Sequence, residues 1–175
     1  MRAFDALSGG DLLAEFELQE VVVFTDLVEQ IIGLLDRVKQ GEANVDPTVL
    51  ARLFPDAYTD DADAADEFRR FTLDDLIDRK IENARGVLVS FQKARTRRTS
   101  EGEVRAVQLD REYAMYWLGT LTDLRLVLAT SLGIASGAEP AEDTDNEYVE
   151  SLYDWFGFAQ GSLLEALEEV EGISG

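Results

Sequence analysis

The amino-acid sequence predicts a mainly α fold (α+β), a multi-helix bundle with a small antiparallel sheet formed by an N-terminal hairpin and one later strand. Three observations predict it. Long stretches repeat apolar residues at the spacing of three and four that a packed helix shows. A Ser8-Gly9-Gly10 turn signal divides the N-terminal segment into two short strands. Residues 104–109 alternate in polarity and favour a strand that joins the hairpin.

The first 17 residues predict the β-hairpin, with strands over 2–7 and 11–16. A helix over 18–39 follows, and Gly41 is placed to end it in the left-handed conformation. The apolar residues of this helix cover an arc of about 180°, wider than the stripe of about 100° on an ordinary surface helix. We therefore expect the helix to be central, or to meet a second subunit.

The middle of the chain predicts three more helices. Asp46 precedes a proline and caps a short helix over 47–54. A second short helix covers 61–70, and a cap-like Thr-Leu-Asp-Asp run opens a long helix over about 72–93. A polar stretch then separates that helix from the strand at 104–109.

Two further helices complete a chain that we expect to form a single domain over 1–175, with its helical core at 18–134. Asp110 caps a helix that ends at Gly133. Residues 135–146 predict a loop. A C-terminal helix over 147–170 repeats apolar residues at helical spacing and should dock on a neighbouring helix.

The chain contains no cysteine and no histidine. Their absence excludes disulfides, thiolate nucleophiles, imidazole bases and histidine-bound metals, so we expect no cofactor and assign no catalytic or metal-binding residue. The N-terminal sequence has no apolar run typical of a signal peptide, and the longest apolar stretch is interrupted by acidic residues. These features predict a cytoplasmic protein with no membrane contact.

The charge is unevenly distributed along the chain. The formal net charge is −20, yet residues 79–111 carry nine basic side chains against four acidic ones. Four cations in this stretch form a candidate interaction surface for phosphate or an acidic partner: Lys93, Arg95, Arg97 and Arg98. The alternative, which charge runs generally favour, is a solvated helix end. Direct contact with nucleic acid is disfavoured, because so acidic a protein repels phosphates within a Debye length of about 8 Å.

Two cations fall on apolar helix faces. Lys80 lies in the apolar arc of its helix and Arg125 lies among leucines, and we expect them to pair with Glu67 and Asp123, which border apolar faces. The functional alternative is a lysine with a depressed pKa that acts as a base or a Schiff-base nucleophile. Buried charges are retained mostly in pairs, which favours the structural interpretation.

Three apolar residues point away from the main apolar arcs of their helices. They are candidates for a partner or homodimer contact: Val22, Leu126 and Phe158.

Glu-x-x-Glu pairs such as Glu17/Glu20 and Glu147/Glu150 place two carboxylates on one helix face, where Mg²⁺ or Mn²⁺ is able to bind. This pattern leaves open an alternative function, a carboxylate-metal phosphohydrolase of the all-helical type. The pattern is weak, because such pairs arise readily by chance in a chain this acidic.

Four segments, at 53–58, 67–72, 121–126 and 153–155, read LFPDAY, EFRRFT, LTDLRL and YDW. Together they resemble an actinobacterial family that was long a domain of unknown function and is named for AosR-type oxidative-stress transcriptional regulators. The resemblance implies a cytoplasmic helical protein that acts through protein partners such as a sigma factor. It implies no catalytic residue, and a thiol switch cannot be transferred to a chain without cysteine.

We therefore expect a non-enzymatic regulatory or protein-interaction module, with a role in transcription-related stress regulation and with a homodimer as a candidate assembly. The metal-dependent phosphohydrolase is the alternative. A regulator that binds DNA directly is the third hypothesis.

Overall fold

The computed structural model describes residues 1–42, 44–55, 62–100, 102–133 and 146–173, with the side chains of 62–71 and 173 left out. The described residues form five helices and four strands. In chain order these are β1 (Asp5–Ala6), β2 (Leu12–Glu17), α1 (Leu18–Lys39), α2 (Pro47–Leu53), α3 (Ala62–Lys93), β3 (Arg95–Thr99), β4 (Gly102–Leu109), α4 (Arg111–Ser131) and α5 (Asn146–Ile173). The predicted fold class, mainly α with a small antiparallel sheet, is confirmed.

The four strands form one antiparallel sheet in the order β1-β2-β4-β3. The predicted hairpin is present, although β1 is only two residues long, and Gly10 in its turn has a φ of 88° that favours glycine. Leu12 pairs with Leu109 at one end of the β2–β4 ladder, and Phe16 pairs with Arg105, one pair from the other end. Alternate residues of β2 and β4 point into the core, which fixes the register of this central pair.

Both ends of α1 are set by local sequence signals. At its start, the backbone N–H of Glu17 donates to the Glu20 carboxylate at 2.7 Å, completing a capping box. At its end, Gly41 has a φ of 70°, and the N–H groups of Gly41 and Glu42 donate to the carbonyls of Val38 and Arg37. This is a Schellman termination, and the helix has the predicted bounds.

The prediction of two helices over 61–70 and 72–93 is wrong, because α3 runs without a break from Ala62 to Lys93. No glycine or proline lies near residue 71 to end a helix. Thr72 and Asp74 are exposed in the helix, so their cap-like sequence costs little there. Helix continuity therefore overrides the local capping signal.

The basic run is exposed to solvent, as one interpretation expected, but it does not form the helix end that this interpretation placed there. Only Lys93 belongs to α3, and residues from Arg95 onward form β3, which pairs with β4 from Arg95↔Ala106 to Thr99↔Gly102. β3 lies at the edge of the sheet and consists of Arg and Thr residues only. It therefore lacks the alternation of apolar and polar residues by which a strand is recognised in a sequence. The strand was missed because its stability comes from pairing with β4.

Helices α4 and α5 lie side by side at the C-terminal end of the chain. Asp110 caps α4 by accepting the N–H of Tyr113 at 2.9 Å, and Gly133 follows the helix with a φ of 67°. Helix α5 begins at Asn146, within one residue of the predicted start. Its apolar stripe is buried as predicted, at Leu152, Phe156, Ala159, Leu163 and Ala166. The rest of the predicted 135–146 loop lies outside the described residues.

The core is organised around a cluster of aromatic rings, one from each of five elements: Phe16 of β2, Phe24 of α1, Phe91 of α3, Trp117 of α4 and Phe156 of α5. The ring centroid of Phe24 lies 5.0 Å from those of both Trp117 and Phe156. The indole N–H of Trp117 donates to Ser90 Oγ at 2.9 Å. These five buried rings thus form one connected cluster, with the indole N–H, their one polar hydrogen, satisfied.

Helices α3 and α4 approach closely at two glycines. A Cβ added at Gly86 would lie 2.8 Å from Tyr116 Cγ and 3.1 Å from Tyr116 Cβ, and a Cβ at Gly119 would meet the Asn83 side chain. Because glycine has no side chain, Tyr116 packs directly on the backbone at Gly86, and Asn83 packs on the backbone at Gly119. This contact brings the end of α3 beside the start of α4.

Gly86→Ala is expected to destabilise the protein by about 1–3 kcal/mol, because the blocking atoms of Tyr116 are close to its backbone and move only if the helices separate. Gly161→Ala is the matched control, since nothing lies within 4 Å of a Cβ there. The control should stabilise α5 by roughly 0.5–1 kcal/mol through helix propensity. Urea denaturation measures both, and equal effects at the two sites would contradict the close packing.

Candidate functional site

A cleft of about 580 Å³ lies where β3 and β4 meet the end of α3 and the start of α4. We call it the basic cleft. Its charged and aromatic lining consists of three cations, two carboxylates and one tyrosine: Lys93, Arg95, Arg97, Asp11, Asp110 and Tyr113. Three of the four residues of the predicted interaction surface therefore share one concave site.

Lys93, the last residue of α3, is positioned by an aromatic side chain of α4. Its ammonium group donates to the Tyr113 hydroxyl at 2.9 Å and lies 4.6 Å from the centroid of the Tyr113 ring. A cation over an aromatic face is attracted by the negative charge of that face. Lys93 is thereby held at the cleft, while it remains exposed to solvent.

Arg97 reaches a carboxylate on the outer face of the sheet. Its guanidinium binds Glu15, and Arg2 Nη1 lies 3.3 Å from the other oxygen of the same carboxylate. The Glu15 side chain is only 10% exposed, so two cations neutralise a carboxylate that the sheet has partly desolvated. Arg95, two residues before Arg97, is exposed at the rim of the cleft.

The two carboxylates of the cleft are engaged in structural hydrogen bonds. Asp11 accepts from the Gln108 side chain at 2.7 Å, and Asp110 caps α4 through the Tyr113 N–H. The positive charges of Lys93 and Arg95 are directed to solvent instead. The cleft thus presents two exposed positive charges in a chain whose formal net charge is −20.

Arg98 does not line the cleft. Successive side chains of a strand point to opposite faces, and Arg98 lies on the face opposite Arg97, where it donates to Glu103 at 3.3 Å. The structure thus divides the predicted surface, with three cations at the cleft and one on the other side of β3.

The structure brings Lys80 and Asp123 together between α3 and α4. Lys80 Nζ lies 2.5 Å from Asp123 Oδ1, and their side chains are 16% and 5% exposed. Burial raises the pKa of the Asp123 carboxyl, and the charge and hydrogen bond of Lys80 oppose that increase. Lys80 Nζ also lies 5.7 Å from the centroid of the Phe54 ring. This cation is thus held in an ion pair beside an aromatic ring.

Arg125 is held by α5. Its Nη1 donates to Gln160 Oε1 at 2.8 Å, and its guanidinium lies 4.6 Å from the centroid of the Tyr153 ring. Among the described residues its Nε is buried without a hydrogen-bond partner. The Glu67 side chain, the other predicted partner of the buried cations, lies outside the described residues. Nothing in the sequence identifies Gln160 and Tyr153 as partners, because they lie on another helix.

The predicted apolar contact residues lie on three different helices. Val22 of α1 and Phe158 of α5 are 66% and 50% exposed, whereas Leu126 of α4 is partly buried against the core. The structure adds a shallow apolar groove between α1 and α5, lined by Val23 and Trp155, that the sequence did not reveal.

The predicted carboxylate pairs have separate surroundings. Glu20 completes the cap of α1, while Glu147 and Glu150 are exposed in the first turns of α5. Within the part of the chain that the structure describes, no three acidic side chains lie close enough together to hold a metal ion. No described helix carries an apolar stretch sufficient to cross a membrane.

Lys80→Met is expected to destabilise the protein by roughly 3 kcal/mol, because it leaves the buried Asp123 carboxylate without its counter-charge. The double variant Lys80→Met/Asp123→Leu should recover most of that loss, since neither charge is then buried alone. Urea denaturation of the three proteins tests the pair. A single variant as stable as the unaltered protein would show that the pair is not structural.

The raised pKa of Asp123 predicts a specific pH dependence. The Asp123 carboxyl holds its proton more tightly in the folded protein than in the unfolded chain, where its pKa is near 3.8. The contribution of this protonation to the free energy of unfolding is therefore complete when the pH lies below the unfolded pKa. It is lost as the pH rises through the folded pKa. Relative to Asp123→Asn, which does not titrate there, the unaltered protein should gain stability as the pH falls from 7 to 4. Urea midpoints across this range measure the difference, and a flat or opposite trend would contradict it.

Comparisons with known proteins give one match. We found no curated protein and no solved structure that matches the chain. The sequence profile of one protein family matches residues 1–167 and so includes the N-terminal hairpin, which precedes the segments that carry the resemblance. The chain therefore belongs to the family described as Domain of unknown function (DUF2017).

Proposed function

We propose that this protein is a non-enzymatic regulatory module that acts by binding protein partners, and that an acidic partner docks at the basic cleft. The observation that carries the proposal is the grouping of Lys93, Arg95 and Arg97 in one cleft of a chain with a net charge of −20. Opposite charges steer association and fix orientation. The acidic remainder of the surface repels such a partner, so binding is directed to this site.

The resemblance to AosR-type regulators supports a transcription-related stress role, with a sigma factor as one candidate partner. Because the chain has no cysteine, any thiol chemistry in such a response belongs to another protein. A homodimer contact through Val22, Leu126 and Phe158 stays a prediction of the sequence.

Affinity capture from the native host tests the proposal. The unaltered protein is compared with Lys93→Glu/Arg95→Glu, and with Arg85→Glu as a charge-reversal control two turns before the end of α3. We expect at least one protein to be retained by the unaltered chain and by the control. Its recovery with the double variant should fall roughly tenfold, since two attractive charges become repulsive. The same loss should follow from raising the salt concentration.

Two results would overturn the proposal. The first is equal recovery of every captured protein by the double variant and the control. The second is turnover of a nucleotide or phosphoester with Mg²⁺ that disappears when Glu17 and Glu20, or Glu147 and Glu150, are replaced by glutamine. A shift of duplex DNA by the purified protein would instead favour the direct DNA-binding hypothesis.

A further inference from the structure

We propose that the partner segment extends the sheet as an added strand along the outer edge of β3, and that it is an extended peptide with acidic residues at alternate positions. This inference rests on the proposed function and specifies its partner. In the sheet order β1-β2-β4-β3, β3 is an edge strand, paired with β4 on one side. The backbone groups on the outer side of an edge strand are a template for another chain.

The charges of β3 determine which strand fits. Arg95 and Arg97 point to the face that carries Glu15, whereas Thr96 and Arg98 point to the opposite face, where Thr96 accepts from Arg105 at 2.9 Å. The side chains of an added strand also alternate between the two faces of the sheet, with the same period of two residues. Acidic residues at positions i and i+2 would therefore lie beside Arg95 and Arg97, and opposite charges on neighbouring strands favour pairing.

The same charges disfavour a second copy of this chain as the occupant. Two β3 strands paired edge to edge would bring arginine beside arginine, which is unfavourable across a strand pair. Charged edge strands are a known means of preventing self-association. A surface that repels its own copy and attracts an acidic strand discriminates by charge alone.

The basic cleft gives the added strand a place to continue beyond β3. Lys93 precedes β3 and is fixed over Tyr113, so a strand that runs past Arg95 reaches a third cation. At the opposite edge of the sheet, β1 offers only two residues and is a poorer template. β3 is thus the longer edge of the described sheet and the one with complementary charge for an acidic peptide.

The test uses a fluorescent eight-residue peptide of alternating Glu and Val, with binding measured by anisotropy at low salt. A Glu-Pro peptide of the same length and charge is the control, because proline cannot donate backbone hydrogen bonds to an edge strand. We expect the Glu-Val peptide to bind at least tenfold more tightly than the Glu-Pro peptide. Bound Glu-Val peptide should also slow hydrogen exchange of the backbone amides of β3.

Protein variants locate the site. Arg95→Glu/Arg97→Glu should weaken binding about tenfold, and Arg85→Glu should leave it unchanged. If the double variant does not fold, Arg95→Gln alone should still weaken binding about twofold to fivefold, since Arg95 is exposed.

The outcomes separate the two proposals. Equal binding of both peptides, no binding of either, or unaltered exchange in β3 would overturn strand addition. The proposed function would survive each of those results if host capture still depended on Lys93 and Arg95. Loss of that dependence would remove the proposed function itself.

Discussion

The fold depends on the contact of one phenylalanine with five other rings. Phe24 of α1 packs against Phe16, Phe91, Trp117, Trp155 and Phe156, and so touches β2 and the three long helices α3, α4 and α5. Because the rings interlock, none of these five elements can shift without disturbing the others. The cluster also positions the basic cleft. Phe91 lies two residues before Lys93, and Trp117 lies one helical turn after Tyr113, so two cleft residues extend from the core on rigid helices.

The α3–α4 contact combines close packing with a buried charge pair. Gly86 and Gly119 let the helices approach, and Lys80 and Asp123 meet at the same interface. Apolar packing alone tolerates sliding by a turn, whereas a buried pair is satisfied in one register only. We infer that the pair selects the register that the glycines permit. That register places the end of α3 beside the start of α4, where the cleft forms.

Local signals predicted most of the fold, and tertiary contacts account for what was missed. The start and end of α1 follow from Glu17–Glu20 and Gly41, which act within one turn of the chain. The break near residue 71 and the helical interpretation of the basic run were wrong, because continuity of α3 and pairing with β4 prevailed. The sequence identified the cations of the site but not the cleft. Its concavity arises where residues from five parts of the chain meet, including Asp11 and Gln108.

Helix α5, at the C-terminal end of the described chain, packs against the N-terminal elements of the core. Phe4, just before β1, donates its backbone N–H to Ser162 Oγ of α5 at 3.3 Å, and Phe156 of α5 packs on Phe24. During synthesis the N-terminal hairpin therefore lacks its contacts with α5 until that helix has left the ribosome, on the order of ten seconds at typical elongation rates. Throughout that interval the aromatic faces of β2 and α1 lack their cover. A ribosome stalled before α5 would thus present a nascent chain with exposed aromatic side chains, a substrate for chaperones and proteases rather than a stable, partly folded protein.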